Sequence, residues 1–291
     1  MSESSPRRLA GDDPAAAVRR EALDRLEDCR RAGVDPLLAT VLVSDASDDE
    51  RFMDRKHDLC AEVGIDTRRV DLPADAPAER VYRTVTDLGD DPAVTALFVQ
   101  VPLPDHVDAT EVRRCVPPEK DVDCFNPENL GRLLRGDPRV RPVTEQAVDR
   151  LLSAHDVTVA GRDAVVVGRT PTIGVPLAHL CCRRDATVTV CHSRTRDLAA
   201  KTRTADLLLT AAGTPGLVDG SMVSEGVVVV DVSVTRVEDD DGTTLVGDVD
   251  AESVGTKAAA MTPVPGGVGP LTMAMLLRNV VAVTAAGATN G

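Results

Sequence analysis

The stretch AVVVGRTPTIGVPLAHL, residues 164–180, constrains the fold more than any other part of the chain. Residues 164–167 are typical of a buried strand, Gly168 follows at once, and Gly174 opens an apolar run of helical character. A strand, a glycine turn and a helix in this order form the first turn of a Rossmann unit, whose helix N-terminus faces phosphate. The middle glycine of G-x-G-x-x-G is missing, so the motif alone leaves an unliganded strand–turn–helix equally open.

The next strand indicates which cofactor this turn would hold. ATVTVCHSRT, residues 186–195, ends where an acidic residue would bind the ribose hydroxyl of NAD, but Ser193 and Arg194 stand there instead. A hydroxyl and a guanidinium suit a phosphate on the ribose, so we predict NADP rather than NAD. Arg169 and Thr170 are expected to donate to the pyrophosphate beside Gly168. The alternative is that Arg194 merely starts a helix from an exposed loop.

Helical and strand patterns alternate along most of the 291 residues, which have room for two domains. This alternation predicts an α/β fold with parallel strands. Helices are predicted at 14–33, 48–64, 144–155, 174–184, 196–203 and 271–287. Strands are predicted at 37–43, 94–104, 164–167, 187–191, 206–210 and 227–231, with a return near 245–249 and a charged surface turn at 237–244.

Composition excludes several classes of function. The formal net charge of −14 opposes binding to nucleic acid phosphates, and the near absence of aromatic residues removes stacking platforms for bases. The basic residues are 29 Arg and only four Lys. An acidic surface with so little lysine is typical of a protein that works in high salt, although an ordinary acidic enzyme remains the alternative.

The cysteines and the apolar runs bear on location. Seven cysteines with no C-x-x-C pair argue against a zinc site and a secreted disulfide framework, so no metal is expected. The first residues lack the apolar segment of a signal peptide, and no run reaches the roughly 18 apolar residues of a membrane span. We therefore expect a soluble, cytoplasmic protein that binds neither membrane nor nucleic acid.

Polar residues in the first half could face a ligand site at the carboxyl end of the sheet. Lys56 shares a helix face with Phe52, and a lysine in a dry cleft can serve in proton transfer. Spacing alone favours a solvated lysine paired with Asp49 or another local acid. Gln100 follows a buried strand. Asp123 and the acid two residues before it would point the same way in an extended segment, to hold a substrate amide or simply as loop acids.

Three stretches together resemble one family, the bifunctional methylenetetrahydrofolate dehydrogenase/cyclohydrolases of the FolD type. They are PEKDVDCFNPENLGRLLRGD (118–137), VVVGRTPTIGVPLAHL with ATVTVCHSRT (165–195), and TPVPGGVGPLTMAMLLRN (262–279). The resemblance can be followed from about residue 9 to 283. TPVPGGVGP is specific, because few sequences place so many turn residues just before an apolar helix.

The resemblance implies two α/β domains around a cleft, the second a Rossmann-type NADP-binding domain, in a homodimer. The expected ranges are 1–144 with 271–291 for the folate-binding catalytic domain and 145–270 for the NADP-binding domain. It implies NADP-dependent oxidation of methylenetetrahydrofolate to the methenyl form, followed by hydrolysis to formyltetrahydrofolate. Such an enzyme belongs to one-carbon metabolism and supplies purine, histidine and methionine biosynthesis.

The resemblance also assigns roles to particular positions. Lys56 would be the catalytic lysine, Gln100 would bind it, and Asp123 would hold the pterin ring. Two further groups follow by position. Gly168, Arg169, Thr170, Ser193, Arg194 and Val234 would line the NADP site, and Phe52, Pro263, Pro265, Gly266 and Gly267 would contact the folate.

The chain departs from the family pattern on the folate side. Phe52 stands where a tyrosine is usual, Asp49 where a serine is usual, and Cys124 where a glycine is usual; Val143 and Glu145 alter the usual PCTP. A carboxylate at Asp49 would raise the pKa of Lys56, the wrong direction for a base. These changes leave open a dehydrogenase with weakened hydrolysis, or a binding protein without chemistry.

A shikimate-type NADP dehydrogenase is a further alternative. It also has two α/β domains and an arginine-containing loop after the second strand, but it would not explain TPVPGGVGP or EKDVDCF.

Overall fold

The computed structural model describes residues 5–239 and 242–288, in which helices alternate with strands. The strands are β1 Arg7–Arg8, β2 Leu37–Val43, β3 Asp66–Leu72, β4 Ala96–Val99, β5 Asp163–Val167, β6 Thr187–Cys191, β7 Leu207–Thr210, β8 Val228–Asp231, β9 Thr235–Asp239, β10 Gly242–Val246 and β11 Ala260–Met261. The helices are α1 Asp12–Arg31, α2 Ser47–Glu62, α3 Ala78–Asp90, α4 Ala109–Cys115, α5 Pro127–Leu134, α6 Val143–Ala154, α7 Gly174–Arg183, α8 Leu198–Thr202, α9 Ala251–Gly255 and α10 Val268–Ala288.

The chain divides into two compact units, each with its own parallel sheet. Residues 17–143 and 273–288 form the three-stranded unit, and residues 5–16 and 144–272 form the six-stranded unit. The division differs from the expected ranges at the N-terminus, because β1 pairs with β11 and carries residues 5–16 into the six-stranded unit.

The three-stranded unit is built on β2, which lies between β3 and β4 with both pairings parallel. Almost the whole of β2 is buried, as expected for an apolar strand whose two faces are covered in an α/β layer. Its core joins β2 and β4 to apolar residues of α3 and α4. The carboxyl ends of β2 and β4 lie at one edge of this sheet, where Ser44 and Gln100 follow.

The six-stranded unit has the strand order β1-β11-β8-β7-β5-β6, with every pairing parallel. From β5 the chain goes to β6 on one side and then to β7 on the other side. This reversal makes the carboxyl ends of β5 and β7 the switch point, where open α/β sheets bind their ligands. Gly168 follows β5 at this point.

The segment around residues 235–246 differs from its prediction. The expected return near 245–249 is strand β10, which pairs antiparallel with β9 in a separate hairpin and does not extend the sheet. The charged surface turn predicted at 237–244 belongs to this hairpin, and its central residues 240 and 241 lie outside the described residues.

Helix α10 is more apolar than the sequence analysis allowed. By length and composition its residues Val268–Gly287 could cross a membrane, with a mean hydropathy of 1.4. However, 61% of this stretch is buried within the protein. The hydroxyl of Thr284 forms a hydrogen bond of 2.8 Å with the hydroxyl of Thr95. Burial and polar contacts of this kind are those of a core helix.

Candidate active site

Lys56 is buried in the three-stranded unit and not solvated. Its side chain lies on α2 with the residue 6% exposed, and its ammonium donates to Gln100 Oε1 at 3.1 Å and to the carbonyl of Phe52 at 3.3 Å. The ammonium also lies 5.2 Å from the ring centre of Phe52 and 4.9 Å from that of Phe98. The pairing with a local acid that spacing alone favours is therefore wrong.

The environment of Lys56 brings its pKa closer to neutral pH. Burial lowers the pKa of Lys56 from 10.5 to about 8, and the charges of Asp123 and Asp49 oppose this shift without cancelling it. The charge of Asp49 raises the pKa of Lys56, as expected, but the expected net increase is wrong, because loss of hydration outweighs that charge. Asp49 is instead held by the hydroxyl of Ser44 at 2.6 Å.

Gln100 is oriented by the backbone around it. Its amide N–H donates to the carbonyl of Val41 at 2.9 Å, and its side-chain Nε2 donates to the carbonyl of Val101 at 2.9 Å. This second bond turns Oε1 toward Lys56. The next peptide bond, Val101–Pro102, is cis. The expected contact between Gln100 and Lys56 is present.

The acids at 121 and 123 lie in a turn, so the prediction that they point the same way in an extended segment is wrong. Asp121 is buried and accepts from the amides of Asp123, Phe125 and Asn126 at 2.9–3.0 Å and from Asn129 Nδ2 at 2.9 Å. The carboxylate of Asp121 is thus used in shaping the turn, and Asp123 is the acid of the two that could contact a ligand.

The carboxylate of Asp123 is hydrogen-bonded to the backbone and has a raised pKa. Its Oδ1 accepts from the amide of Val143 at 2.7 Å. Burial raises the pKa of Asp123 to about 7; the Val143 amide and the charge of Lys56 lower it, and the charge of Asp121 raises it. Cys124, the next residue, has a φ of 55°. That conformation favours glycine, the usual residue of the family, so the cysteine here carries a backbone cost.

His57, the neighbour of Lys56, was not among the residues expected from the sequence. Its ring bridges two hydroxyls, with Nε2 at 2.9 Å from Thr40 Oγ1 on β2 and Nδ1 at 2.8 Å from Thr67 Oγ1 on β3. Burial and the charge of Arg69 lower the pKa of His57. The ring therefore ties α2 to the sheet, but no spacing along the chain could have revealed this contact.

The glycine turn after β5 requires both of its glycines. Gly168 has a φ of 141°, and a Cβ there would lie 2.6 Å from the carbonyl oxygen of Ala211. A Cβ at Gly174 would lie 2.4 Å from the carbonyl oxygen of Gly168. Thr170 Oγ1 accepts from the amide of Gly174 at 3.3 Å. This tight backbone, followed by the N-terminus of α7 and with Arg169 exposed, fits a bound pyrophosphate.

The loop after β6 presents its polar side chains to solvent. His192 Nδ1 accepts from the amide of Arg194 at 3.1 Å, and Thr195 Oγ1 accepts from the amide of His192 at 2.8 Å. These bonds order the loop and leave the side chains of Ser193 and Arg194 exposed. The loop lies at the carboxyl end of β6, beside that of β5, as the ribose position of a Rossmann site requires.

Asp248 joins the loops after β7 and β8. Its carboxylate accepts from the amides of Ala212 at 2.6 Å and Thr214 at 2.7 Å and from the hydroxyl of Ser233 at 2.7 Å. Val234, expected in the cofactor site, follows Ser233 and is 43% exposed. Asp248 was not singled out from sequence, although it organises two of the loops at the switch point.

The loop that follows β11 carries the expected folate residues Pro263, Pro265, Gly266 and Gly267. The Val264–Pro265 peptide bond is cis, and Gly266 has a φ of 102°. The amide of Gly11 donates to the carbonyl of Gly266 at 2.9 Å, and a Cβ at Gly11 would lie 1.9 Å from the carbonyl oxygen of Gly267. The N-terminal segment thus braces this loop within the six-stranded unit.

The expected site residues therefore fall into two groups. Phe52, Lys56, Gln100 and Asp123 belong to the three-stranded unit, and the dinucleotide and proline–glycine loops belong to the six-stranded unit. Within the first, charge interaction links Lys56 to Asp123; within the second, the loops share the carboxyl end of one sheet.

Known protein families match both units. Residues 9–123 match the tetrahydrofolate dehydrogenase/cyclohydrolase catalytic domain, and residues 142–287 match the NAD(P)-binding domain of that enzyme. The chain belongs to this family. Its members named bifunctional protein FolD include one from Haloquadratum walsbyi, 46% identical over 98% of this chain and 93% of its own length. Another, from Natronomonas pharaonis, is 50% identical over 94% of each chain.

Solved structures agree with this assignment. The Trypanosoma brucei methylenetetrahydrofolate dehydrogenase-cyclohydrolase, complexed with NADP and an inhibitor, is 36% identical with a TM-score of 0.91, over 98% of this chain and 99% of its own. The Campylobacter jejuni FolD enzyme is 37% identical with a TM-score of 0.89, over 96% of this chain and 98% of its own.

The family assignment decides between the alternatives. A Thermus thermophilus shikimate dehydrogenase is only 13% identical with a TM-score of 0.52, over 88% of this chain and 99% of its own, so it shares the fold alone. The predicted two-domain α/β fold with a Rossmann-type unit, the NADP cofactor and the bifunctional dehydrogenase/cyclohydrolase activity are confirmed.

Proposed function

We propose that Lys56, Gln100 and Asp123 carry the folate chemistry of this dehydrogenase/cyclohydrolase. The observation that supports this most directly is the burial of Lys56 against Gln100 and two phenylalanine rings. Asp123 holds the pterin through its carboxylate, and Phe52, 45% exposed, offers its ring face to the substrate. The family resemblance adds Pro263, Pro265, Gly266 and Gly267 as residues that would contact the folate.

In the hydrolytic step Lys56 moves the proton. Water adds its oxygen to the bridging carbon of the methenyl group and loses one proton; the bond from that carbon to one nitrogen then breaks, and the second proton of the water passes to that nitrogen as the formyl carbonyl forms. With a pKa of about 8, a fraction of Lys56 is neutral at pH 7 and accepts the proton that the attacking water loses. Gln100 holds the amine in place while its proton is exchanged. Because Lys56 needs no hydroxyl at position 52 for these contacts, we infer that hydrolysis is retained.

In the oxidative step bound NADP would supply the acceptor for the hydride of the methylene carbon. The chain would position it: Gly168 and Gly174 would shape the backbone around the pyrophosphate, Arg169 and Thr170 would donate to it, and Val234 would border the cofactor. Ser193 and Arg194 would hold the ribose phosphate.

Arg194→Ala tests the choice of cofactor. We expect the affinity for NADP to fall about tenfold or more and that for NAD to change little, since a charged hydrogen bond contributes about 1.5–3 kcal/mol. Binding of both dinucleotides is measured by calorimetry. Arg196→Ala, a nearby exposed arginine, is the control. Equal losses for NADP and NAD would contradict the assignment of Arg194.

One assay tests the proposed roles of the folate residues. The protein is mixed with methylenetetrahydrofolate and NADP while the absorbance of NADPH and of the methenyl product are recorded together. In the wild type both rise, and the methenyl product then decays faster than in buffer. In Lys56→Met we expect decay at the buffer rate with NADP affinity unchanged. Accelerated decay in that variant would remove Lys56 from its role.

We also propose, from the family resemblance, that the enzyme is a homodimer in the cytoplasm and that its product supplies purine, histidine and methionine biosynthesis. Light scattering of the purified protein tests the dimer: a mass near 31 kDa, that of one 30.7 kDa chain, would contradict it.

A further inference from the structure

An asparagine interrupts the apolar helix α10. Asn279 is only 4% exposed, and it lies among buried residues of the helix such as Leu276, Leu277 and Val280. A buried amide costs free energy unless its donors and acceptor are satisfied, and an aliphatic residue would pack here without that cost. The position therefore needs an explanation beyond packing.

The contacts of Asn279 supply one. Its Nδ2 donates to the carbonyl of Val122 at 2.7 Å and to the carbonyl of Arg141 at 3.0 Å. Both carbonyls belong to irregular segments of the three-stranded unit, outside its helices and strands. A single amide group thus holds two separate loops at a defined spacing.

These two loops meet again one or two residues farther on. Asp123 follows Val122, Val143 follows Arg141 by two positions, and the Val143 amide donates to Asp123 Oδ1 at 2.7 Å. The Asp121 carboxylate shapes the first loop internally, but none of its four hydrogen bonds described above reaches residues 141–143. Asn279 therefore contributes to the spacing across which Asp123 contacts Val143.

We propose that Asn279 is a positioning residue for the folate-binding acid: by clamping the carbonyls of Val122 and Arg141, it holds Asp123 in the orientation that receives the pterin. This inference rests on the proposed role of Asp123. The proposal assigns part of the substrate specificity to a side chain of α10 that is too buried to contact the substrate.

The same geometry predicts a change in the pH profile of kcat/KM, which a purely structural role of Asn279 would leave unchanged. Asp121 and Lys56 are the charged groups that act on Asp123, and the Val143 amide stabilises its charged form. If the clamp is lost, the Val143 bond weakens and the pKa of Asp123 rises further from about 7. The acid limb of the kcat/KM profile, which reports groups of the free enzyme, then moves to higher pH.

The experiment compares Asn279→Leu with Thr284→Val in the full-length protein. Thr284 lies on the same helix, is 2% exposed and bonds to Thr95 Oγ1, so its variant also loses one buried polar contact. For Asn279→Leu we expect the KM for methylenetetrahydrofolate to rise about tenfold, the acid limb to shift upward and the NADP affinity to stay unchanged. Thr284→Val should lose thermal stability and change neither KM nor the acid limb. Loss of stability in Asn279→Leu without either kinetic change would overturn the proposal.

Two further variants keep the test decisive. Val143→Pro removes the donor to Asp123 directly, and proline is tolerated in the first turn of α6, so it should reproduce the acid-limb shift even if Asn279→Leu does not fold. An unchanged acid limb in Val143→Pro would also overturn the proposal. Asp123→Ala separates the two levels of inference: if its folate KM is unchanged, the proposed role of Asp123 is wrong, whereas a raised KM there with a normal Asn279→Leu refutes the clamp alone.

Discussion

At the scale of single residues, the proposed catalytic Lys56 shows that burial can bring the pKa of an amine toward neutrality at the expense of the stability of the fold. Two aromatic rings and one amide surround its ammonium, and the nearby carboxylates do not restore the free energy lost with hydration. A group whose pKa is lowered on folding destabilises the native state wherever it must carry its charge.

This gives a prediction for stability against pH. Between pH 8 and pH 10.5 the unfolded chain retains the proton of Lys56 and the native protein releases it, so the wild type should gain stability as the pH rises. Relative to Lys56→Met, the gain should approach about 3 kcal/mol. Urea unfolding of both proteins across this range measures it. A constant difference between the two would mean that Lys56 titrates normally.

Cys124 yields a second prediction at this scale, because its φ of 55° is costly for any side chain. Cys124→Gly should change the free energy of unfolding by less than about 1 kcal/mol, since relief of the backbone offsets the lost thiol packing. Cys124→Val places a branched side chain in the same conformation and should destabilise by about 2 kcal/mol or more. Thermal unfolding distinguishes them, and equal effects would argue against backbone strain.

Residue roles could be predicted from sequence only where a motif carried them. Lys56 has no distinctive spacing, and its role came from the family resemblance. His57 and Asn279 act through contacts with segments distant in the chain, Thr40 and Val122 among them, so no local pattern indicates them. Gly168 and Gly174, by contrast, could be placed because their backbone geometry follows from the strand–turn–helix pattern itself.

At the scale of elements, long apolar strands and several amphipathic helices were predicted, but strand β3 and the helices α3 and α5 were not. The predicted strand at 37–43 matches β2, and the helices predicted at 14–33 and 48–64 match α1 and α2 with small shifts at their ends. Strand β3, with the sequence DTRRVDL, was missed because it lies at the edge of its sheet, where charged side chains remain solvated. Hydrophobic periodicity cannot report such a strand.

The loops at the switch point give a prediction at this scale. In Asp248→Asn the side-chain nitrogen would meet a backbone donor, so the loop at 212–214 should move away from Gly168, which packs against Ala211. We expect NADP affinity to fall about tenfold while hydrolysis of added methenyltetrahydrofolate continues. Asp250→Asn is the control: Asp250 lies two residues after Asp248, and its side chain caps the short helix α9. Equal losses in both variants would indicate general destabilisation.

At the scale of the whole molecule, the net charge of −14 dominates. Self-repulsion among acidic side chains destabilises a compact state, and salt screens it. The many surface ion pairs, such as Arg19 with Glu62 and Arg31 with Asp28, are exposed and each contributes little. The balance at low ionic strength therefore favours repulsion.

We accordingly expect the melting temperature to rise by several degrees or more between about 0.1 M and 2 M KCl. The control is a variant in which four exposed acids are neutralised, D24N, D87N, E119Q and E225Q. It should melt higher than the wild type at low salt and respond less to KCl. The same response to KCl in both proteins would refute the high-salt interpretation.

The pairing of β1 with β11 has a consequence for how the protein is made. Residues 7 and 8 are synthesised long before their pairing partners at 260 and 261. At ordinary translation rates the nascent N-terminus must wait roughly 10 to 50 s with its hydrogen bonds unmade. The sheet of the six-stranded unit is therefore completed by a strand that was made long before its partner, and a chain whose synthesis stops before residue 260 lacks that strand pairing.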